Sequence, residues 1–461
     1  MTDGKSQPTG SQMNHPFLDM LGSFGTSEAM IFNGSASSYA DLCDMVASWA
    51  REFDRCDVRP GQVVCLEAAY TPASCGALLA LMARRAIVVP LAPLPAAKRA
   101  EFLDLAQVEK VVSLDADGSP TIAPTGVTES HPLYGRLRRA ATGGLVLFSS
   151  GTSGRSKASV LDLSKVLGRY GAPRRAKPKR TLCFLTLDHI GGINTFLHTL
   201  SQGGTLITIP ERTPEAVFSA IERDSVNILP TTPTFLNLVL ISRAYERYST
   251  RSLELITYGT EPMPAHTLRR LHDALPDVRL KQTYGLSELG IMPTRSRSDD
   301  SLWLELGKAG FDYKVIDGVL WIRSDMAMLG YLNAPADFDD DGFFNTQDVV
   351  QLDGDYVRIL SRKSELINVG GEKVYPGEVE NVLLEMDNIA EVTVCGLPSP
   401  VTGTVVKATV RLVEEEDHQQ VSARVREYCR SRLEPYKVPL SVEVSTARQY
   451  SERFKKIRAS R

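Results

Sequence analysis

The chain has 461 residues, 43% of them hydrophobic and 23% charged, with 52 basic and 55 acidic side chains and a net charge of −3. This composition excludes a disordered chain, and the balanced charge argues against a protein specialised for nucleic acid or an anionic membrane. At roughly 150 residues per domain, the length allows two or three domains with a sizeable core.

The seven cysteines are odd in number and form no C-x-x-C pair, which favours reduced thiols in a cytoplasmic protein over a disulfide framework or a zinc site. Arginines interrupt the longest apolar stretch near residue 84, so no membrane span is predicted. The polar first 16 residues lack the apolar segment of a secretory signal, and residues 1–16 are predicted to be a disordered leader.

Predicted helices and strands alternate through the first 280 residues. The helices are 41–53, 73–84, 96–105, 214–223 and 265–274, and the strands are 62–66, 86–90, 110–114, 145–148, 182–185, 205–208 and 228–230. This alternation predicts βαβ units and mostly parallel sheets.

The pattern changes after about residue 300. Short strands at 319–323 and 356–360, bounded by turn residues, predict a small antiparallel or barrel-like piece. Helices at 377–386 and 420–433 with strands at 389–395 and 405–412 then predict a compact α+β unit. The sequence therefore predicts an α/β fold, with a large N-terminal α/β domain of mostly parallel sheets over 17–362 and a small C-terminal α+β domain over 363–461.

A loop rich in hydroxyls and glycine follows the apolar strand at 145–148. Its sequence is Ser149-Ser150-Gly151-Thr152-Ser153-Gly154-Arg155-Ser156-Lys157. The glycines allow backbone amides to approach an oxyanion, and the hydroxyls and the lysine add donors for a polyphosphate. The spacing is not that of a Walker A loop, and a flexible Ser/Gly loop is the alternative. The hydroxyls, the preceding strand and the closing lysine favour phosphate binding.

This loop resembles the phosphate-loop signature of the adenylate-forming superfamily, which contains acyl-CoA synthetases, adenylation domains and luciferases. Further segments that resemble the family's motifs follow in the family's order along nearly the whole chain. The resemblance implies that ATP is bound by Ser149, Ser150, Gly151, Thr152, Ser153, Gly154 and Lys157. It also implies that the C-terminal domain is mobile.

The segment Gln282-Thr283-Tyr284-Gly285-Leu286-Ser287-Glu288 resembles the family's adenine and metal motif. The resemblance implies that Tyr284 stacks on adenine beside Gly285, that Ser287 contacts the α-phosphate, and that Glu288 holds Mg²⁺. Upstream, Gly259 matches the turn that lines the adenine and acyl pocket, with Thr260 and Glu261 where many members have Gly and Ala.

Asp341-Gly342-Phe343-Phe344-Asn345-Thr346-Gln347-Asp348 resembles the ribose-binding element, with Gln347 in place of a glycine. The resemblance implies that Asp348 accepts hydrogen bonds from the ribose and that Arg362 adds a ribose contact and opens the linker. Ser364 stands at the family's hinge position. Gly330-Tyr331 is interpreted as structural only.

His189-Ile190-Gly191-Gly192 resembles the mouth of the carboxylate pocket, where the histidine ring acts as a gate. Amino-acid-activating members carry an aspartate at the next position, and Ile190 cannot pair with a buried ammonium. The acid is therefore predicted to lack an α-amino group.

The segment 367–380 resembles the loop that lines a pantetheine tunnel after domain rotation, with Gly370 and Gly371 allowing close approach of the thiol arm. CoA is favoured as the thiol, and the phosphopantetheine of an acyl or peptidyl carrier protein stays open. A basic stretch over 169–180 is either a contact for such a partner or a solvated loop.

The end of the chain, Arg453-Phe454-Lys455-Lys456-Ile457-Arg458, resembles the family's final Gly-Lys-apolar motif. Aligning Ile457 with the apolar residue predicts Lys456 as the catalytic lysine and Lys455 at the glycine position, with Lys455 as the alternative.

The implied activity is ATP-dependent conversion of a carboxylic acid to an acyl-adenylate, followed by transfer to a thiol. Alternatives are a carrier-protein ligase, a stand-alone adenylation enzyme, or a non-catalytic homologue that binds nucleotide or acyl chains.

Overall fold

A computed structural model describes residues 15–115, 119–150, 156–171, 177–400 and 402–457. The strands in this part of the chain are β1 (Glu28–Phe32), β2 (Ser35–Ser38), β3 (Val63–Glu67), β4 (Ile87–Leu91), β5 (Lys110–Leu114), β6 (Pro120–Pro124), β7 (Gly144–Ser150), β8 (Ser156–Asp162), β9 (Arg180–Leu182), β10 (Thr205–Thr208), β11 (Ile228–Thr231), β12 (Leu255–Tyr258), β13 (Arg279–Gln282), β14 (Tyr284–Leu286), β15 (Gly290–Met292), β16 (Thr294–Ser296), β17 (Leu304–Leu306), β18 (Phe311–Ile316), β19 (Val319–Ser324), β20 (Gly330–Tyr331), β21 (Phe344–Asp353), β22 (Tyr356–Arg362), β23 (Ile367–Val369), β24 (Glu372–Val374), β25 (Ile389–Ser399), β26 (Gly403–Leu412) and β27 (Ser441–Val444).

The α-helices are α1 (Pro16–Gly22), α2 (Tyr39–Arg55), α3 (Pro72–Ala83), α4 (Ala96–Leu105), α5 (Pro132–Arg139), α6 (Leu163–Gly168), α7 (Ile190–Ser201), α8 (Pro214–Asp224), α9 (Pro233–Ser242), α10 (Ala244–Arg247), α11 (Ala265–Ala274), α12 (Pro376–Leu383) and α13 (His418–Arg430). Short 3₁₀ helices cover Lys363–Glu365 and Pro435–Lys437.

Polar caps set the beginnings of several helices. Ser38 and Asp41 form a capping box at α2, and the Thr232 hydroxyl accepts a hydrogen bond from the backbone N–H of Phe235 in the first turn of α9. Asp417 caps α13 in the same way. These caps satisfy backbone donors that the first helical turn leaves without partners.

Two seven-stranded sheets form the large N-terminal part of the molecule. The first has the order β13-β12-β11-β9-β10-β1-β2 and is parallel except for the β1–β2 pair. The second has the order β20-β8-β7-β4-β3-β5-β6, parallel in its centre and antiparallel towards both edges.

A hydrophobic core joins the two sheets, because residues of both belong to one cluster with α2, α3 and α7. A second cluster packs α8, α9 and α11 on the other face of the first sheet, and another packs α4 and α5 on the second sheet. The parallel strands are thus covered on both faces, as parallel sheets require.

Smaller units follow in the chain. Strands β16 to β19 with β21 and β22 form a six-stranded antiparallel sheet. Beyond it, β25, β26 and β27 form a three-stranded sheet that packs with α12 and α13 around a separate core drawn from residues 367–444.

The α/β fold with a large and a small domain is confirmed. The division of the chain at residues 362 and 363 stays a prediction. Helix α7 was not predicted, because two glycines in its first turn are unfavourable for a helix by sequence alone. Pro16 begins α1, so the end of the predicted leader is helical, whereas residues 1–14 lie outside the described part of the chain.

All seven cysteines are free thiols. None of the helices in the described ranges combines the length and the apolar character that a bilayer span requires.

Candidate active site

A cleft opens where parallel strands of both sheets end. It has a volume of about 1600 Å³ including its open mouth. Residues that follow β12 and β13 line it, together with the end of β7, the sheet residues around Asp348 and residues between 451 and 456, here called the C-terminal segment. The carboxyl ends of parallel strands are the usual place for ligands in α/β proteins.

Glu288 lies on one wall of the cleft, in the turn between β14 and β15. It is only 6% exposed. Its Oε1 atom accepts hydrogen bonds from the Tyr331 hydroxyl at 2.7 Å and from Ser149 Oγ at 3.3 Å. The Lys157 ammonium lies 5.0 Å from the centre of the Tyr331 ring. Ser149 of the predicted phosphate loop therefore contacts Glu288 directly, and Lys157 of the same loop lies close to the Tyr331 that also contacts it.

Glu288 suits a magnesium ion that also binds substrate. Among the residues that the structure describes, no group of three His, Cys, Asp or Glu side chains could enclose a metal by itself. A single carboxylate with phosphate oxygens and water is the usual environment of Mg²⁺. The donor set therefore fits Mg²⁺ carried by a nucleotide.

Asp348 also lines the cleft and is buried between Tyr284 and Arg362. The Tyr284 hydroxyl donates to its Oδ2 atom at 2.6 Å, and Arg362 Nε lies 3.2 Å from its Oδ1 atom. Burial raises the pKa of Asp348, and the cation of Arg362 and the Tyr284 hydrogen bond oppose that rise. The structure brings together the three residues that were predicted to hold adenosine.

His189 is the N-cap of α7 and borders the cleft. Its Nδ1 atom accepts from the Gly191 N–H at 3.0 Å, and its Nε2 atom lies 3.2 Å from Lys455 Nζ. Burial lowers the pKa of His189, as do the nearby Lys455 and Arg453 cations, so the ring is neutral.

The last residues of the chain place two lysines differently. Burial lowers the pKa of Lys455 to about 8, and the Arg453 and Arg362 cations act in the same direction, whereas Glu261 and Glu288 act against them. Lys456 instead pairs its ammonium with Glu380 of α12 at 2.6 Å. Both lysines border the cleft, and it is Lys455 whose amine contacts His189.

Arg453 anchors this segment in a buried ion pair. Its Nη2 atom lies 2.5 Å from Oδ2 of Asp188, which is 3% exposed and also accepts from the Thr186 hydroxyl. Asp188 immediately precedes His189, so the pair fixes the histidine and the C-terminal segment against each other.

Three non-glycine residues near the cleft have left-handed backbone conformations. Their φ angles are +74° at Thr260, +62° at Gln347 and +52° at Phe454. Thr260 and Gln347 occupy positions at which the sequence analysis noted a glycine in the family pattern. The left-handed residue of the C-terminal motif is Phe454, one position before Lys455, and not Lys455 itself.

Two predicted glycines are explained by close packing. A side chain at Gly259 would come within 2.6 Å of Thr283 Oγ1, and one at Gly285 within 2.6 Å of the Gly290 carbonyl oxygen. Gly370 and Gly371 form the turn between β23 and β24, with open space around them, and they do not line the cleft.

Of the remaining predicted residues, some line the cleft and others are outside the described part of the chain. Ser287 lines the cleft beside Glu288, and Ile190 borders it with 3% exposure. Gly151, Thr152, Ser153 and Gly154 lie outside the described residues, as does the side chain of Ser150.

Sequence reasoning missed Tyr331, Glu261, Asp188 and Arg453 as members of the site. The Gly-Tyr motif was the only signal for Tyr331, and it was interpreted as structural. The partners of the other three are far away in the sequence, at separations that no local pattern reveals.

The model of the AMP-binding enzyme family matches residues 21–332, and that of the AMP-binding enzyme C-terminal domain matches residues 378–449. The chain belongs to the AMP-binding enzyme family. The predicted resemblance is confirmed.

Relatives within the AMP-binding enzymes include the long-chain fatty acid–CoA ligase FadD13 of Mycobacterium tuberculosis. It is 29% identical over 402 residues, which cover 77% of this chain and 79% of the relative. The feruloyl-CoA synthase of an Amycolatopsis species is 27% identical, covering 90% of this chain and 91% of the relative. The indoleacetate–CoA ligase of Aromatoleum aromaticum is 30% identical over 65% of this chain and 62% of the relative.

Solved structures of adenylate-forming enzymes share the fold. ATP-bound MatB of Rhodopseudomonas palustris superposes with a TM-score of 0.78 at 21% identity, covering 95% of this chain and 96% of that one. The anthranilate CoA ligase AuaEII in complex with anthranoyl-AMP superposes with a TM-score of 0.79 at 16% identity, covering 98% and 97%.

Proposed function

We propose that this AMP-binding enzyme is an AMP-forming acid–CoA ligase. A carboxylate oxygen of the acid attacks the α-phosphorus of ATP, the bond to the bridging β-phosphate oxygen breaks, and pyrophosphate leaves. The CoA sulfur, having lost its proton, then attacks the acyl carbonyl of the adenylate, and AMP leaves. The observation that carries this proposal is the meeting of Glu288, the Asp348–Arg362 pair and Lys455 in one cleft.

The cleft offers a surface for each part of the nucleotide. Asp348 and Arg362 are proposed to hold the ribose, and the Tyr284 ring, fixed by its hydroxyl, to stack on adenine. The loop over 149–157 is proposed to bind the phosphates. Mg²⁺ held by Glu288 would neutralise phosphate charge during nucleotidyl transfer.

Lys455 is proposed as the lysine that contacts the reacting oxygens. The left-handed backbone at Phe454 supports this alignment, because the family's glycine then falls on Phe454 and its lysine on Lys455. The position of the amine at His189 supports it as well. Lys456, which the sequence analysis favoured, has its ammonium engaged by Glu380.

The acid is proposed to be apolar and to lack an α-amino group. Ile190 presents no carboxylate to an ammonium at the mouth of the pocket, and burying one there without a partner would be costly. The named acids of the CoA-ligase relatives, a long-chain fatty acid and indoleacetate among them, also carry no α-amino group.

CoA is proposed as the thiol because the relatives are named as CoA ligases. In the second step the C-terminal domain rotates, Lys455 leaves His189, and the ring can move aside for the thiol. Gly370 and Gly371, outside the cleft in the present arrangement, would then line the thiol's path. The cytoplasm is proposed as the location because a reducing compartment maintains free thiols.

ATP–pyrophosphate exchange with a panel of carboxylic acids tests the proposal. Exchange that depends on an acid and on Mg²⁺, followed by thioester formation with CoA, is expected. A non-catalytic homologue would bind ATP without exchange with any acid in the panel. Strongest exchange with a proteinogenic α-amino acid would contradict the assignment of Ile190.

A further inference from the structure

Glu261 lies in the turn after β12, beside the cleft, and the function proposed above assigns it no task. Its Oε1 atom accepts hydrogen bonds from the backbone N–H and the hydroxyl of Thr234, at 2.8 and 2.5 Å. Its Oε2 atom accepts from the backbone N–H of Lys456 at 3.0 Å. One carboxylate therefore joins the first turn of α9 to the C-terminal end of the chain.

A second hydrogen bond holds the neighbouring peptide group. The Thr232 hydroxyl, at the N-cap of α9, donates to the carbonyl oxygen of Phe454 at 2.8 Å. The peptide groups on both sides of the Lys455 α-carbon are thus each tied to the N-terminal domain, one by Thr232 and one by Glu261. Two fixed peptide planes determine the direction in which the side chain between them leaves the backbone.

Aromatic packing also attaches the same segment to the N-terminal domain. The Phe454 ring lies 5.1 Å from that of Phe184 and 5.4 Å from that of Phe235, and Arg212 donates to the carbonyl oxygen of Glu452 at 3.1 Å. These contacts hold the segment on the domain, but none of them touches the peptide group that follows Lys455. Within the segment, the Ser451 N–H donates to the Lys455 carbonyl oxygen at 2.9 Å. Among the described contacts, the Glu261 hydrogen bond is the one that ties this peptide group to the N-terminal domain.

We propose that Glu261 is a positioning residue that aims Lys455 at the reacting oxygens and holds the C-terminal segment in the adenylate-forming arrangement. This inference rests on the proposed role of Lys455. The hydrogen bond between Glu261 and Lys456 must break when the C-terminal domain rotates, so Glu261 serves the first half-reaction and not the second. A residue with a small apolar side chain at this position could not make the link.

The negative charge of Glu261 also affects the pKa of Lys455. The groups that act on the Lys455 amine are Arg453, Glu261, Arg362 and Glu288, with the His189 ring in contact. Glu261 raises the pKa of Lys455 against the lowering by burial and the two arginines. Removing it should move the alkaline limb of the adenylation rate to lower pH, a result that loss of packing alone would not produce.

The test compares Glu261→Ala and Glu261→Gln with the wild-type enzyme. Glu222→Ala is the matched control, because Glu222 also accepts a backbone hydrogen bond, from Ser249 at 2.9 Å, but lies outside the site. The first readout is tryptic cleavage after Arg453, Lys455 and Lys456, followed by mass spectrometry. Loss of a charge-assisted hydrogen bond should speed this cleavage by about 10- to 100-fold in Glu261→Ala. Glu222→Ala should match the wild type.

The second readout separates the half-reactions. Glu261→Ala should lower kcat for pyrophosphate exchange by about 10-fold or more, with KM for ATP changed by less than about 3-fold. Thioester formation from pre-formed acyl-AMP should stay within about 2-fold of the wild type. Glu261→Gln keeps one acceptor oxygen, so its kcat for exchange should lie between those of Glu261→Ala and the wild type. It serves as the test if the alanine variant does not fold.

The outcomes distinguish this inference from the proposed function. Unchanged cleavage and exchange in both Glu261 variants, with exchange abolished in Lys455→Ala, would overturn the role of Glu261 and leave the function intact. Equal loss in both half-reactions would also overturn it. Faster cleavage in an enzyme whose wild type exchanges no pyrophosphate would support the docking role of Glu261 and contradict the proposed function.

Discussion

At the scale of single residues, the two adjacent lysines differ in what their amines contact. Lys455 lies at His189 in the cleft, and Lys456 is paired with Glu380. A lysine that stabilises transition-state charge should affect kcat more than substrate binding. The two lysines can therefore be separated by kinetics.

Lys455→Ala is expected to lower pyrophosphate exchange by on the order of 10²-fold or more, because a cation is lost at the reacting oxygens. Lys456→Ala should stay within about 5-fold, since its ammonium is paired with the buried Glu380 of α12 and not with the reacting groups. Thioester formation from acyl-AMP should be retained in both variants. The reverse order of the two effects on exchange would restore Lys456 as the catalytic lysine.

The pH dependence of adenylation should report the same residue. Burial and the nearby arginines lower the pKa of Lys455 to about 8, so its positive charge is present below that pH and is lost as the pH rises through it. In the free enzyme, kcat/KM for ATP should therefore fall above about pH 8. Lys455→Arg, which stays protonated, should show no such fall whatever its absolute rate. A wild-type profile that stays level to pH 10 would contradict this interpretation.

Glu288→Gln removes charge from the predicted metal ligand while keeping its shape. Exchange should fall by on the order of 10²-fold, with the largest loss at limiting Mg²⁺. Tyr331→Phe is the matched control, because it removes the hydrogen bond to Glu288 Oε1 but leaves the carboxylate in place. Near-wild-type exchange of Glu288→Gln at limiting Mg²⁺ would exclude the metal role.

At the scale of elements, the sequence predicted regular segments well and their long-range contacts poorly. Helices α4 and α11 and strands β5 and β10 have the predicted bounds, because apolar periodicity and turn residues are local signals. The Glu261–Lys456 contact spans 195 positions, and nothing in either local sequence predicts it. The choice between Lys455 and Lys456 depends on a related feature, since only the backbone angle at Phe454 reveals which residue takes the left-handed conformation.

The Phe454 position separates backbone strain from side-chain docking. Phe454→Gly suits the φ of +52° and relieves the strain, but it removes the ring from its contacts with Phe184 and Phe235. If docking of the ring matters, exchange should fall by about 10-fold and tryptic cleavage of the C-terminal segment should increase. A glycine variant as active as the wild type would show that the backbone conformation alone suffices.

At the scale of the whole molecule, the described contacts between the two domains are specific but sparse outside the C-terminal segment. Asn237 Nδ2 donates to the carbonyl oxygen of Ala390 at 2.8 Å, and the Ala265 N–H donates to Asn381 Oδ1 at 2.9 Å. The C-terminal domain has its own core. Sparse contacts between independently packed domains permit rotation, and the chain between them must then contain the hinge.

Lys363 is the place at which this hinge can be tested. It is the first residue of the 3₁₀ helix Lys363–Glu365, and the preceding Arg362 has φ −82° and ψ 144°. Proline tolerates both conditions, because it suits the first position of a helix and requires an extended residue before it. Lys363→Pro should therefore preserve the present arrangement while fixing one torsion of the linker.

If rotation uses that torsion, Lys363→Pro should keep pyrophosphate exchange within about 3-fold of the wild type and slow thioester formation from acyl-AMP by about 10-fold or more. Lys363→Ala removes the same side chain without fixing the torsion, and both half-reactions should proceed at near wild-type rates. Because proline fits the adenylate-forming arrangement, a selective loss of the second step would be due to blocked rotation. Unimpaired thioester formation in the proline variant would place the hinge elsewhere, with Ser364 as the next residue to examine.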